Sequence, residues 1–120
     1  DQLGFQLTML KAITKVYFDL GGTVVAGTDT PAGVYSFPGM GLHRELEIFV
    51  EMGMTELEAL QAATINAAKA ISLEEIGVIK EEKIADLVIL KENPLVDIKN
   101  TKEIFSIVKG GKMYSQEEIL

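Results

Sequence analysis

One carboxylate follows a short apolar, β-branched run of the sequence. Residues Thr23 to Gly27 read Thr-Val-Val-Ala-Gly, which is typical of a strand covered on both faces, and Asp29 comes two residues later. In parallel α/β architectures the carboxyl ends of strands face the ligand crevice, where a carboxylate can bind a cation or accept a proton. Asp29 is therefore the first candidate catalytic residue. The alternative is that it caps the following loop together with Thr28 and Thr30.

His43 is the only histidine of the 120-residue chain, and it stands near the start of an expected helix. An unperturbed imidazole titrates near neutral pH, which makes His43 a candidate substrate-binding residue. The alternative is a histidine that caps the helix or packs against a neighbour. The chain has no cysteine, which excludes disulfides, thiolate zinc sites and a cysteine nucleophile. A metal site rich in imidazole would need ligands from elsewhere.

Composition limits the class of protein further. Eleven basic against 18 acidic residues give a net charge of −7, which argues against a nucleic-acid partner. The sequence has no run of apolar residues long enough to cross a membrane, and it begins with Asp1 rather than methionine. We expect a soluble, cytoplasmic segment cut from a longer protein, with no membrane partner.

Glycines and capping residues divide the first part of the chain into helices. Apolar residues recur every three or four positions up to Leu20, which predicts one helix that ends at Gly21-Gly22. A long loop over residues 28–41 precedes a second helix that stops at Gly53. Thr55 and Glu58 form a capping-box pattern that opens a third helix, with an inner face running to Ile71.

The period of the apolar pattern changes after Ser72. Residues 84–90 and 104–108 predict strands, and Gly110-Gly111 allows a tight reversal into a third. The sequence therefore predicts two parts, an α/β part over residues 1–72 and a mainly β part over residues 73–120.

A second carboxylate, Asp19, belongs to a segment that resembles the opening motif of haloacid-dehalogenase-type phosphatases. In that motif a strand ends in an Asp nucleophile followed by a Gly-Thr turn, so the resemblance implies a strand over residues 15–19. The motif's second Asp falls at Gly21 here, which removes the acid/base group. A phosphatase that acts through Asp19 is therefore the alternative enzymatic interpretation.

Four motifs occur in order along the chain: Gly22–Thr30, Gly41–Leu46 with Glu51–Thr55 and Glu58–Ala68, Gly77–Ile79 with Lys83–Leu90 and Asn93–Leu95, and Val108–Lys112. In this order and spacing they resemble the C-terminal third of metal-dependent amidohydrolases, in particular the branch of imidazolonepropionases and Xaa-Pro or Xaa-Arg dipeptidases. By this resemblance the first motif would be the last strand of a barrel with its terminal Asp, the second a helical segment, and the others the return into a small β domain.

The resemblance implies the end of a (β/α)₈ barrel over residues 1–72 and part of a small β-sandwich over residues 73–120. It implies a hydrolase that cleaves carbon–nitrogen bonds in an amide, cyclic amide or dipeptide. In that family one or two divalent ions, usually zinc, are held by histidines, often a carboxylated lysine, and an Asp that matches Asp29. There Asp29 would bind the metal and accept a proton from the attacking water.

The resemblance also implies a missing part of the site. The His-x-His pair of the family is absent from this sequence, so we expect the chain alone to be inactive. Helices that evolved for a barrel would expose apolar faces, so we expect self-association or docking with the missing barrel portion. A non-catalytic assembly module is the third class of function that the sequence leaves open.

Overall fold

The computed structural model describes residues 2–32 and 38–119, with side chains described up to Glu118. This part of the chain is a mixed α/β fold in which most of the helices precede a small sheet. The elements are α1 (Gln2–Asp19), α2 (Met40–Glu51), α3 (Glu56–Ala63), α4 (Ile65–Ala70), β1 (Leu87–Leu90), a 3₁₀ helix (Ile98–Lys102), β2 (Ile104–Lys109), β3 (Lys112–Ser115) and α5 (Gln116–Ile119).

The hydrophobic core lies where α2 and α3 pack against the segment that follows α1. Ala59 and Ala62 of α3 are fully buried, and their small side chains allow α3 to pack closely against its neighbours. Ile98 of the 3₁₀ helix joins the same cluster, so this core also contacts the second part of the chain. Its buried members are Val24, Leu46, Phe49, Met52, Met54, Ala59, Ala62 and Ile98.

The predicted third helix is two helices in the structure. The capping box is confirmed, because Thr55 Oγ1 accepts from the Glu58 amide and the Glu58 carboxylate accepts from the Thr55 amide. The helix then breaks at Thr64, whose φ of −124° and ψ of −94° are not helical. The Thr64 amide donates to Gln61 three residues back, which tightens the end of α3 before α4 begins.

The three strands form an antiparallel sheet with β2 in the middle. Gly110 and Gly111 have φ values of +56° and +82°, the left-handed pair that a type I′ hairpin requires, so the predicted reversal is confirmed. The first strand is shorter than predicted and begins at Leu87. Before it, the Asp86 carboxylate pairs with Lys109 and accepts from the Gly110 amide.

The structure contradicts the strand that the phosphatase resemblance implies. Residues 15–19 belong to α1 and not to a strand, and Asp19 forms an ion pair with Lys15 one turn earlier. This removes the strand that the phosphatase interpretation requires. Residues 23–27 are extended but pair with no strand of the described chain, because their hydrogen bonds go to helices instead.

None of the helices in the described ranges combines the length and the apolar character needed to cross a membrane.

Candidate functional site

Helices α2, α3 and α4 hold the extended segment that leads to Asp29. The Asn66 side chain donates to the Val24 carbonyl at 3.2 Å, and the Ala26 amide donates to the carbonyl of Ala62 at 3.0 Å. The Gly27 amide donates to Glu45 Oε1 at 2.9 Å. Three successive anchors therefore fix residues 24–27 against the helical core.

Asp29 lies just beyond these anchors in the left-handed backbone region, with a φ of +52°. Asp is one of the few residues other than glycine that adopt this conformation readily. Two hydrogen bonds close the turn around Asp29 without using its carboxylate. The Ala32 amide donates to the Asp29 carbonyl, and the Thr30 amide donates to the Thr28 hydroxyl. Within residues 2–32 and 38–119, the exposed Asp29 carboxylate makes no hydrogen bond or ion pair.

The threonines on either side of Asp29 lie against the first turn of α2. A Cβ atom added to Gly41 would lie 3.5 Å from both Thr28 Cγ2 and Thr30 Oγ1, which is ordinary contact distance. The side chains of Thr28 and Thr30 thus face the helix while the carboxylate between them is exposed to solvent. This arrangement presents one oxygen ligand or one proton acceptor from an anchored piece of backbone.

His43 lies at the contact between α2 and the 3₁₀ helix. Its Nδ1 is 2.9 Å from Thr101 Oγ1, and the Thr101 hydroxyl donates to the Ile98 carbonyl at 2.8 Å. Because that hydroxyl proton is already used, Nδ1 must be the donor to Thr101, which leaves Nε2 as an acceptor. Burial and the nearby Lys102 lower the pKa of His43, against a smaller opposite effect of Glu47.

This geometry gives His43 a packing role between the two parts of the chain. Its partner, Thr101, is itself buried. The predicted contact with substrate is not tested by these contacts and stays a prediction.

A group of charged side chains covers the outer face of α2. Arg44 Nη1 lies 3.1 Å from Glu47 Oε2 and 2.8 Å from Glu51 Oε1, while Glu51 Oε2 also accepts from Lys11 at 2.9 Å. Glu47 also forms an ion pair with Lys102. The hydrogen bond from Lys102 has the largest effect in lowering the pKa of Glu47, and the hydrogen bond from Arg44 lowers it further. Arg44 therefore forms its ion pairs with two carboxylates of its own helix.

Glu45 is a residue whose role the sequence interpretation did not identify. In the structure it binds the Gly27 amide and so reaches the segment that carries Asp29. One signal was available: Glu45 is one helical turn before the buried Phe49, on the same face of α2. A carboxylate on the inner face of a helix requires a polar partner.

The described residues do not fit a metal site by themselves. Among residues 2–32 and 38–119, no three His, Asp or Glu side chains come together in a way that could hold a metal ion. A catalytic zinc ion usually has three protein ligands. Asp29 can supply one such ligand, and the others are not found in this set.

An open surface cavity of about 670 Å³ lies elsewhere on the described part of the chain. It is lined by residues of α4 and of the loop that follows it, and neither Asp29 nor His43 contributes to it. The structure therefore separates this cavity from the predicted catalytic carboxylate. Its lining comprises Ile65, Lys69, Ser72, Leu73, Glu74, Val78, Ile79, Lys80 and Lys83.

Comparison with known proteins gives consistent matches. The sequence model of the amidohydrolase family matches residues 8–114. A solved Xaa-Pro dipeptidase with methionine bound in its active site is 29% identical, with a TM-score of 0.78 over 88% of this chain and 25% of its own. Phenylurea hydrolase B is 35% identical, with a TM-score of 0.62 over 66% of this chain and 17% of its own.

Ochratoxinase from A. niger is 40% identical, with a TM-score of 0.55 over 61% of this chain and 18% of its own. A search of curated proteins finds no significant match. The chain spans a quarter or less of the length of each of these three solved structures.

Proposed function

The chain belongs to the amidohydrolase family, and from that premise we propose that it is the C-terminal part of a metal-dependent hydrolase that cleaves carbon–nitrogen bonds. The substrate class would be a small amide, cyclic amide or dipeptide, and the enzyme would act in the cytoplasm. The similarity to a solved Xaa-Pro dipeptidase over 88% of this chain supports this reading.

In this proposal residues 1–72 form the end of a (β/α)₈ barrel and residues 73–120 form part of a small β-sandwich. The extended residues 23–27 would be the last barrel strand, which pairs once neighbouring strands are present. The observation that supports this is their anchoring by α2, α3 and α4 without any strand partner in the described chain.

Asp29 is the residue that we propose as the catalytic carboxylate and as a metal ligand. The observation that carries the proposal is its position, exposed and without a partner in the described chain, directly after an anchored apolar segment. A divalent ion, for which we expect zinc, would need further ligands from polypeptide outside these 120 residues. For the chain alone we therefore expect no hydrolysis and no tight metal binding.

The exposed face of α1 is the surface that we propose to be covered by the rest of the enzyme. No described residue of this helix is buried, and its apolar Phe5, Leu10 and Ile13 are each at least 60% exposed. An apolar surface of this kind indicates an interaction site. In isolation we expect it to promote self-association, seen as a sedimentation coefficient that rises with concentration, whereas a compact monomer at high concentration would contradict this.

Activity of the full-length protein that carries these residues tests the proposal. We would assay a panel of Xaa-Pro dipeptides, N-acyl amino acids and cyclic amides with Zn²⁺ supplied. Asp29→Asn should lower kcat/KM by about 10²- to 10⁴-fold, the range for loss of a positioned acid or base. Asp19→Asn is the matched control, because Asp19 is an ion-paired residue of α1.

Full activity of Asp29→Asn would refute the role of Asp29. A full-length protein that hydrolyses none of the panel would favour the non-catalytic assembly module.

A further inference from the structure

The Glu45 side chain connects α2 to the backbone that carries Asp29. Its Oε1 accepts from the Gly27 amide at 2.9 Å, two residues before Asp29. We propose that Glu45 is a positioning residue, which holds this backbone so that the Asp29 carboxylate stays at one place. The inference rests on the proposed catalytic role of Asp29.

Glu45 provides the anchor closest in sequence to Asp29. Ala62 and Asn66 hold the chain earlier, at Ala26 and Val24, and they would leave Gly27 free to rotate. Gly27 has no side chain that could pack, so a hydrogen bond to its amide is what fixes this residue. Loss of that bond would let the start of the Asp29 turn shift.

The core of the protein sets the direction of the Glu45 side chain. Leu46 and Phe49 are buried members of the core, and Phe49 is one helical turn beyond Glu45. Packing of these two side chains fixes the rotation of α2 about its axis, so Glu45 is held toward the extended segment. A carboxylate that accepts from an amide forms a stronger bond than a neutral acceptor does.

The second carboxylate oxygen of Glu45 supports its role in holding the backbone at Gly27. Glu45 Oε2 is buried and has no hydrogen-bond partner among the described residues. A buried acceptor without a partner is costly, so a carboxylate is not expected here unless its other oxygen has a necessary function. The hydrogen bond that Oε1 accepts from the Gly27 amide provides that function.

Three substitutions in the full-length enzyme separate the hydrogen bond from the charge. Glu45→Gln keeps an oxygen acceptor at the same reach, Glu45→Asp keeps the charge but is one methylene too short, and Glu45→Ala removes both. Glu51→Ala is the matched control, because Glu51 lies on the same helix and binds Lys11 and Arg44 instead. We would measure kcat and KM, together with hydrogen exchange at the Gly27 amide.

We expect Glu45→Ala and Glu45→Asp to lower kcat by about 10- to 100-fold with little change in KM, since a shift of about 1 Å in a catalytic group has this effect. Glu45→Gln should stay within about threefold of wild type by the same reasoning, because the acceptor is kept. The Gly27 amide should exchange faster in the Ala and Asp variants only.

The inference is overturned if Glu45→Asp is fully active while Glu45→Gln is not, because charge would then matter instead of the bond. It is also overturned if all three variants match Glu51→Ala in kcat. If Glu45→Ala does not fold, the Gln and Asp pair decides alone. Asp29→Asn, measured alongside, separates the two proposals: an active Asp29→Asn refutes the proposed function, whereas an inactive one with unaffected Glu45 variants refutes only the positioning role.

Discussion

Helices α1 and α2 both carry apolar residues at helical spacing, and only α2 buries them. Leu46 and Phe49 of α2 lie in the core, whereas α1 has no buried residue along its 18 described positions. Helical periodicity thus predicts that a segment is a helix with an apolar face, but it does not identify what covers that face. The difference indicates that the apolar face of α2 is covered by other described residues, whereas most of the apolar face of α1 is not.

The C-terminal end of α1 is nevertheless attached to the core. Phe18 packs against the core cluster, and Lys11 forms an ion pair with Glu51 of α2. The chain turns immediately afterwards, where a Cβ on Gly22 would overlap the Tyr17 ring, so any other residue there would displace that side chain. The helix therefore has a fixed point near its end and an apolar face that stays exposed in the described chain.

The largest expected contrast comes from the same substitution made in each helix. Phe49→Ala should lower the free energy of unfolding by about 3–5 kcal/mol, because it leaves a cavity in the core. Phe5→Ala in α1 should change it by less than about 0.5 kcal/mol, because Phe5 is exposed. Urea denaturation of the two variants measures both values. Equal losses would show that α1 is packed as α2 is.

A smaller contrast concerns the alanines that allow close packing. Ala62→Leu should lower the free energy of unfolding by about 1–3 kcal/mol, since the added atoms have no room beside the extended segment. Ala70→Leu is the control, because Ala70 is exposed at the end of α4. A neutral Ala62→Leu, by the same denaturation measurement, would mean that the fit between α3 and residues 24–27 is loose.

Features that depend on neighbours in sequence were predicted well. The end of α1, the capping box of Thr55 and Glu58, and the Gly110-Gly111 hairpin all follow from local backbone chemistry. Asp29 was also identified from its place after an apolar run, although its catalytic role stays a prediction.

Features that depend on distant partners were not predicted. The amide of Gly27 binds a carboxylate 18 residues away, and His43 binds Thr101 from 58 residues away. A β-branched run such as residues 23–27 favours an extended backbone, but a strand also needs a neighbouring strand to pair with. Local pattern therefore predicts the extended backbone of residues 23–27 but does not identify the strand that would pair with it.

The capping residue of α3 offers a third contrast with α1. Thr55→Ala should cost about 1 kcal/mol of stability, because the Glu58 amide then loses its acceptor. Thr14→Ala in α1 should cost nothing or be slightly stabilising, because its hydroxyl only returns to the Leu10 carbonyl and alanine favours the helix more than threonine does. Thermal unfolding followed by circular dichroism compares the pair, and a Thr14→Ala loss as large as that of Thr55→Ala would contradict this prediction.

The smallest expected effect belongs to the ion pair that joins the two helices. Hydrogen bonds from Arg44 and then Lys11 lower the pKa of Glu51 from 4.5 to about 2. Because the folded-state pKa is below the unfolded value, Glu51 stabilises the fold fully above pH 4.5, and that contribution is lost as the pH falls through about 2.

Glu51→Gln should therefore be less stable than wild type at neutral pH, by a small amount because the side chain is exposed, and the difference should vanish near pH 2. High salt should reduce the same difference at neutral pH, because it screens exposed charges. Urea denaturation of both proteins across this pH range measures it. A difference that persists unchanged at pH 2 would mean that the Glu51 carboxylate contributes through packing, and that contact between α1 and α2 does not depend on charge.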